Sequence, residues 1–329
     1  MKRKMKILLS VTVVILLVVM GLHGMNELFI PEGNEVCMNY IKTFHALPER
    51  SAEVMIYGSS HAWRGCDSRE MYTKHGIAAY NYGCNWQHMN TTALFLQDSF
   101  RTQRPKVALI ETMAAGELLQ DVDLIGEVYY TRAIPMSRGK WEYLKQCFGN
   151  RLERYLTYTF PVLAFHDQWT SLTKGDFTAL KNEPENGFHN FGFMDIKEAQ
   201  PQTMPDHTLF QQKEICAEAK ECLDQMVALC RENNSEIVFF TTPYIWEYPY
   251  AQAMEEYASA NGYPYLNLFD SMEEIGLDSQ TDFSDGGHLN TSGAKKVADY
   301  LGAFLKEHYE LTDYRNDPDS LWTKLLGEK

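Results

Sequence analysis

Five short apolar segments, each set apart from the next by helical pattern, constrain this chain more than any other feature. Glu53 to Tyr57, Ile77 to Tyr80, Lys106 to Ile110, Glu236 to Thr241 and Tyr263 to Leu268 all read as strands. Helical stretches alternate with them over 87–103, 210–232, 249–261 and 292–308. Near-continuous apolar strands lack the polar face of an exposed antiparallel sheet. They belong in a parallel sheet covered by helices on both sides, so the expected class is α/β. The 329 residues suffice for one such domain carrying a large insertion.

That insertion is legible as an anomaly of length. Residues 112–235 separate the third and fourth strands, where a strand-to-helix loop normally takes about 2–6 residues. The segment contains its own helical stretches near 138–148 and 150–160, and a polar piece rich in Pro and Asn around 174–207. It reads as a helical cap over the strand ends, inserted in a domain that spans 51–308. The tail, 309–329, is polar apart from Trp322, Leu325 and Leu326, and reads as a short packed helix or a frayed end.

The N-terminus carries the topological signal. Lys2, Arg3, Lys4 and Lys6 precede an apolar run from Ile7 to Leu22, which Met5 and Met25 to Ile30 can extend. A spanning helix needs about 17–25 residues, and cations stay on the cytoplasmic side. Residues 1–30 therefore read as an uncleaved signal anchor, and 31–50 as a stalk, with a first helix falling within 25–50, that leads to an exported body. A cleaved signal peptide is the rival, since the run is short. A buried helix would leave the four cations unexplained. Those cations are the only charges before residue 25 in a chain of net charge −14, so the remainder carries −18. Such a body repels nucleic-acid phosphates. Seven cysteines form no C-x-x-C pair, which disfavours a structural zinc site. Cys216, Cys222 and Cys230 fall in a helical stretch and read as packed thiols. Cys66 and Cys84 both lie near the motif described next, but their spacing gives a bond between them no support.

Two polar motifs interrupt the α/β pattern. The first strand runs directly into Gly58-Ser59-Ser60-His61. Open α/β sheets place ligands at the carboxyl ends of their strands, and glycine permits a sharp turn there. Ser60 then projects into the crevice, with backbone N–H groups of a helix start beside it. Asp285-Gly286-Gly287-His288-Leu289-Asn290 lies between the fifth strand and the last helix. An aspartate three residues before a histidine can fold back and hold one imidazole nitrogen. The other nitrogen is left to act as base for a serine. Asn290 or Thr291 can cap the helix that follows. Each motif alone has an ordinary structural explanation, as a cap or a surface histidine. Their joint occurrence in this order favours a Ser60–His288–Asp285 triad.

In these residues the chain resembles the SGNH (GDSL) hydrolase superfamily. Gly58-Ser59-Ser60 is similar to the family's opening Gly-Asp-Ser block, with Ser59 in place of the aspartate. Asp285-x-x-His288 is similar to its closing block, and Asn81-Tyr82-Gly83 to its second. The resemblance spans roughly 53–111 and 236–308. It implies a three-layer α/β/α sandwich with a flavodoxin-like five-stranded parallel sheet. It also implies an oxyanion hole built from the Ser60 and Gly83 N–H groups. The G-S-S-H variant is similar to that in exported proteins that move acyl groups on envelope polymers. Among these are the D-alanyl transfer protein of teichoic-acid operons and the alginate-type O-acetyltransferases. The family's third block, Gly-x-Asn-Asp, is absent. Glu111-Thr112-Met113-Ala114-Ala115-Gly116 stands there instead, leaving Asn85 or Thr112 as replacement donors. One lost oxyanion donor costs about 3–4 kcal/mol in a well-studied hydrolase.

Other residues stand near these motifs. His61 reads as a cap or structural group rather than a second base. Arg64 and Arg132 are substrate-anion candidates set against the plainer role of surface ion pairs. Trp63, Trp86 and Trp246 follow strand ends, where they could stack on sugars, although core packing is the usual fate of tryptophan. The expected activity is that of an extracytoplasmic serine esterase or O-acyltransferase acting on an acylated cell-envelope glycan or other ester. It needs neither metal nor cofactor. The membrane is a partner through the N-terminal helix, and a membrane acyl-donor protein is a further candidate partner. The rivals are a tethered lipase or lysophospholipase of the same fold and a catalytically silent glycan-binding module.

Overall fold

The computed structural model describes residues 2–29, 34–118, 128–174, 190–246 and 248–327. Val54–Tyr57, Ala79–Asn81, Val107–Glu111, Glu236–Thr241 and Tyr265–Asn267 form β1 to β5. They pair in parallel in the order β2-β1-β3-β4-β5, the flavodoxin-like arrangement. The strands fall where the apolar runs do. β5, at the sheet edge, is half-buried and shorter than its run.

Side chains alternate across β1, β3 and β4, and both faces are apolar. Met55, Tyr57, Ala108, Ile110, Ile237 and Phe239 belong to the core under α2 (Asn34–Ala46), α5 (Met89–Ser99) and the helix Ala217–Glu232. Val54, Ile56, Val107, Leu109, Val238 and Phe240 belong to the other core. It lies under α3 (Ser60–Gly65), α4 (Ser68–His75) and the helix Thr291–His308. Two sealed faces make the three layers. Ahead of them, α1 (Lys2–Met25) has an apolar stretch, Lys4–Leu22, long enough to cross a membrane, and none of it is buried in the protein.

Several segments differ from the expectations. The first helix expected within 25–50, α2, belongs to the domain and not to a stalk, because its Cys37, Met38, Ile41 and Phe44 are buried in the sheet's first core. Cys84 pairs with Cys37, not with Cys66, and so ties α2 to the loop after β2. Cys66 is a buried free thiol. Cys222 and Cys230 are packed as expected, but Cys216 is exposed, because the helix starts one residue after it.

The described part of the insertion also departs from a lid. α6 (Arg138–Phe148) packs against α5, and the turn Tyr129–Ala133 packs against α2, so this part lies beside the sheet's first face. α7 (Leu152–Thr159) and α8 (Val162–Phe165) follow α6. Residues 190–202 form a strap. Asn81 N–H donates to Phe191 O at 2.8 Å, Met194 N–H to Trp63 O at 3.0 Å, and Thr291 N–H to Ile196 O at 2.7 Å. Parts of the cap, 119–127 and 175–189, lie outside the described residues.

The tail is packed. Its helix, Leu321–Gly327, buries Trp322 edge-on against Phe191 of the strap at 4.5 Å, and the indole N–H donates to Ser51 O at 2.9 Å. Trp322→Ala should therefore destabilise the fold by about 3–5 kcal/mol, the range for a buried large-to-small change. Denaturant titration of the detergent-solubilised chain measures it. A loss below about 1 kcal/mol would mean that the tail is not part of the fold.

Candidate active site

β1 ends at Gly58, whose φ of +140° is a conformation that L side chains rarely adopt. A Cβ there would lie 2.6 Å from Glu111 Cβ, so β1 and β3 can close together only over a glycine. Ser59 follows as the N-cap of α3, its hydroxyl accepting from His61 N–H at 3.3 Å. Ser60 is the first residue of the helix and stays partly exposed. β1 and β3 flank the point where the strand order reverses, the place where open α/β sheets form their crevice.

The second motif reaches this crevice from the far end of the chain. Phe283 and Leu289 form an antiparallel bridge that closes the loop between them. Asn290 caps the last helix, accepting from Ser292 N–H at 2.9 Å and Gly293 N–H at 3.1 Å. Thr291 instead bonds Asp195 and the Ile196 carbonyl of the strap. The glycines let two side chains lie close over the loop: a Cβ on Gly286 would lie 2.7 Å from Ile245, and one on Gly287 2.5 Å from Trp246. Within the loop, Asp285 accepts from Gly287 N–H at 2.7 Å.

These two segments, 228 residues apart, form one hydrogen-bonded chain. Ser60 Oγ lies 2.7 Å from His288 Nε2. His288 Nδ1 lies 2.8 Å from Asp285 Oδ1 and 3.0 Å from Oδ2. Asp285 has no hydrogen to give when ionised, so the imidazole proton sits on Nδ1 and Nε2 accepts from Ser60. Burial, and then the Arg64 guanidinium, hold His288 below the ordinary histidine value, against the pull of Asp285. Burial alone would raise Asp285. The Gly287 N–H, His288 and Arg64 outweigh it and keep the carboxyl below the usual range. At neutral pH the arrangement holds a neutral base against a serine hydroxyl and an anion behind the base.

The neighbouring residues take different places around the site. Arg64 Nη1 stands 3.8 Å from Asp285 Oδ2, so it faces the aspartate. His61 is buried, with its ring 4.6 Å from Tyr244 and 5.1 Å from His288. Burial, and then His288, bring it down to about 3, which leaves it a neutral packing group. Arg132 sits in the cap turn beside Tyr129, Lys140 and Tyr158. Trp63 is core, edge-on to Tyr40. Trp86 and Trp246 are exposed instead, the first on the loop after β2 with φ +53°, the second over Gly287.

Two oxyanion assignments need correction. Gly83 N–H donates to Asn81 Oδ1 at 2.9 Å, while Asn81 Nδ2 donates to Ala62 O and Cys66 O at 2.8 and 2.9 Å. The second block here clamps α3, and its glycine N–H is occupied. The Thr112 hydroxyl is fully buried among Phe240 O, Thr241 Oγ1 and Tyr248 Oη. Ser60 N–H and the Asn85 side-chain amide meet no acceptor among the described residues.

Two supporting groups were not singled out from sequence. Gln87 is buried, accepting from Gly58 N–H at 3.0 Å and donating to Tyr82 O at 3.2 Å, which joins the two loops. Glu111, at the end of β3, takes Met113 N–H at 3.0 Å and meets Ser59 Oγ at 3.4 Å. A polar residue closing an otherwise apolar strand was its only signal. Among the described residues no group of three or more His, Cys, Asp or Glu side chains is placed to hold a metal ion.

No family model matches the chain, and no curated protein matches it. Among solved structures it is similar to a Bacteroides fragilis protein described as a "putative acylhydrolase". That match has 10% identity and a TM-score of 0.38, over 82% of this chain and 94% of the other. An overlap this low carries no argument about the chemistry of this chain.

Burial pushes the Glu111 carboxyl from 4.5 up to about 8, against its three hydrogen bonds. Between those values the folded chain holds a proton that the unfolded chain lacks. Its contribution is therefore complete below about 4.5 and is lost as pH rises through about 8. Glu111→Gln does not titrate. Its melting temperature relative to the unaltered chain should rise between about pH 5 and about pH 9. Parallel pH curves for the two proteins would show that Glu111 does not hold this proton.

Proposed function

We propose that the protein is a serine esterase or acyltransferase that works through Ser60, His288 and Asp285. One observation carries the reading: Ser60 Oγ 2.7 Å from His288 Nε2, with Asp285 on the other ring nitrogen at 2.8 Å. His288 takes the proton as Ser60 Oγ attacks an ester carbonyl, and Asp285 stabilises the imidazolium. Ser60 N–H and Asn85 Nδ2 receive the oxyanion. The tetrahedral centre collapses with loss of the alcohol, which takes its proton from His288. The acyl group now rests on Ser60. Water or a sugar hydroxyl, deprotonated by His288, then takes it away.

The proposed setting is extracytoplasmic. It rests on the cations before α1 and on that helix's spanning length. The proposed substrate is an ester-linked acyl group on a cell-envelope polysaccharide. Its support is the family resemblance together with the exposed indoles of Trp86 and Trp246 on two loops of the site, where sugar rings can stack.

The test is release of acid from a short p-nitrophenyl ester by the purified full chain. Ser60→Ala should lose at least about a thousandfold in rate. Ser59→Ala, which removes a cap and not the attacking oxygen, should lose far less. The rate of the unaltered chain should fall as pH drops through a midpoint below the ordinary histidine value of about 6.5. Equal losses at Ser59 and Ser60, or a rate indifferent to pH there, would refute the assignment.

A further inference from the structure

The structure assigns the insertion a second membrane contact, an apolar face on α7, α8 and the turn after them that rests on the outer surface of the bilayer crossed by α1. This inference rests on the anchored reading of α1 and goes beyond it.

α1 ends at Met25, and the turn Asn26–Phe29 follows without a spacer. That turn is built into the cap. Asn26 is buried, and its side-chain amide donates to Thr159 O at the end of α7 at 2.8 Å. Phe29 is buried too, and both α8 and the turn His166–Thr170 pack against Asn26–Phe29. If α1 crosses a bilayer, residue 26 stands at its outer surface. The cap elements bonded to it stand at the same level, with no linker to lift them away.

Beside exposed Glu153, His166 and Asp167, these elements also expose four large apolar side chains. Leu152 and Leu156 are 68% and 43% exposed, Leu163 is 46% exposed and Trp169 is 67% exposed. On α7 the leucines lie one turn apart, opposite the inward-facing Arg154 and Tyr158, which are buried. Four large exposed apolar groups on elements joined to the end of α1 offer an interaction surface. Tryptophan is enriched at the headgroup level of membranes, with its ring in the apolar part and its N–H in the wet part. Continuity with α1 selects lipid as the occupant. An esterase site fixed by two contacts is held at a set height and tilt above the membrane instead of swinging on a tether.

The full chain in lipid nanodiscs tests this, with bromine on the upper acyl carbons as quencher of tryptophan fluorescence. Trp169 is one of six tryptophans, so Trp169→Phe is the informative difference. The unaltered chain should be quenched, and Trp169→Phe should lose at least half of that quenching. The triple change Leu152→Asp, Leu156→Asp, Leu163→Asp touches only exposed positions. It should keep the melting temperature and cut the quenching at least twofold. If both variants are quenched like the unaltered chain, the patch is off the lipid and the proposal fails; a protein partner would then be its occupant. Alkaline extraction separates the two failures. A chain that stays with the membrane yet shows no Trp169 quenching overturns the cap contact alone. A chain that is extracted overturns the anchor, and the cap contact with it.

Discussion

The close approach of Gly58 to Glu111 is the constraint on which the site depends. β1 and β3 are neighbours at the point where the strand order reverses, and their ends leave no space for a Cβ between them. The chain therefore turns at a positive φ, and the next residue is free to cap a helix. Ser59 serves as that cap, so Ser60 falls on the first turn with its hydroxyl directed at the crevice. Glu111, Gln87 and Asn81 then fix the turn from three sides. None of them needs to touch a substrate. Their shared effect is to hold Ser60 Oγ where His288 can reach it, because hydrogen-bonded geometry of this kind fails with displacements of about 1 Å.

The two motifs that meet at the candidate site were legible because each breaks its local pattern. Gly-Ser-Ser-His closes an apolar strand with polar residues, and Asp-Gly-Gly-His opens a helix with two glycines. Apolar runs also marked the five strands, since buried parallel strands carry no polar alternation. What stayed hidden depends on long-range packing. The engagement of the Gly83 N–H by Asn81, two residues away, follows from the clamp on α3 and not from spacing. Thr112 looked available because its strand end is near the site, yet three oxygens from β4 and the loop after it surround its hydroxyl. Cys37 and Cys84 come together because α2, expected on a stalk outside the domain, lies in the core.

The insertion was recognised by length and misplaced in space. Its composition did not reveal that the 190–202 segment would run as a strap, bonded to α3 and to the start of the last helix. Nor could pattern alone show that α7 and α8 join the segment leaving α1, the first through the Asn26 amide and the second by packing. The same join couples the topology of the N-terminus to the position of the domain.

The central claim is that Ser60, His288 and Asp285 act as one unit, and covalent trapping tests it most directly. A fluorophosphonate reacts with a serine oxygen only as fast as a neighbouring base activates it. Treatment of the full-length protein followed by peptide mass analysis should place a single adduct on the peptide bearing Ser60. The rate of adduct formation should fall at least about a hundredfold in His288→Ala and clearly in Asp285→Asn. An adduct on another serine, no adduct at all, or labelling of His288→Ala at the rate of the unaltered chain would contradict the account.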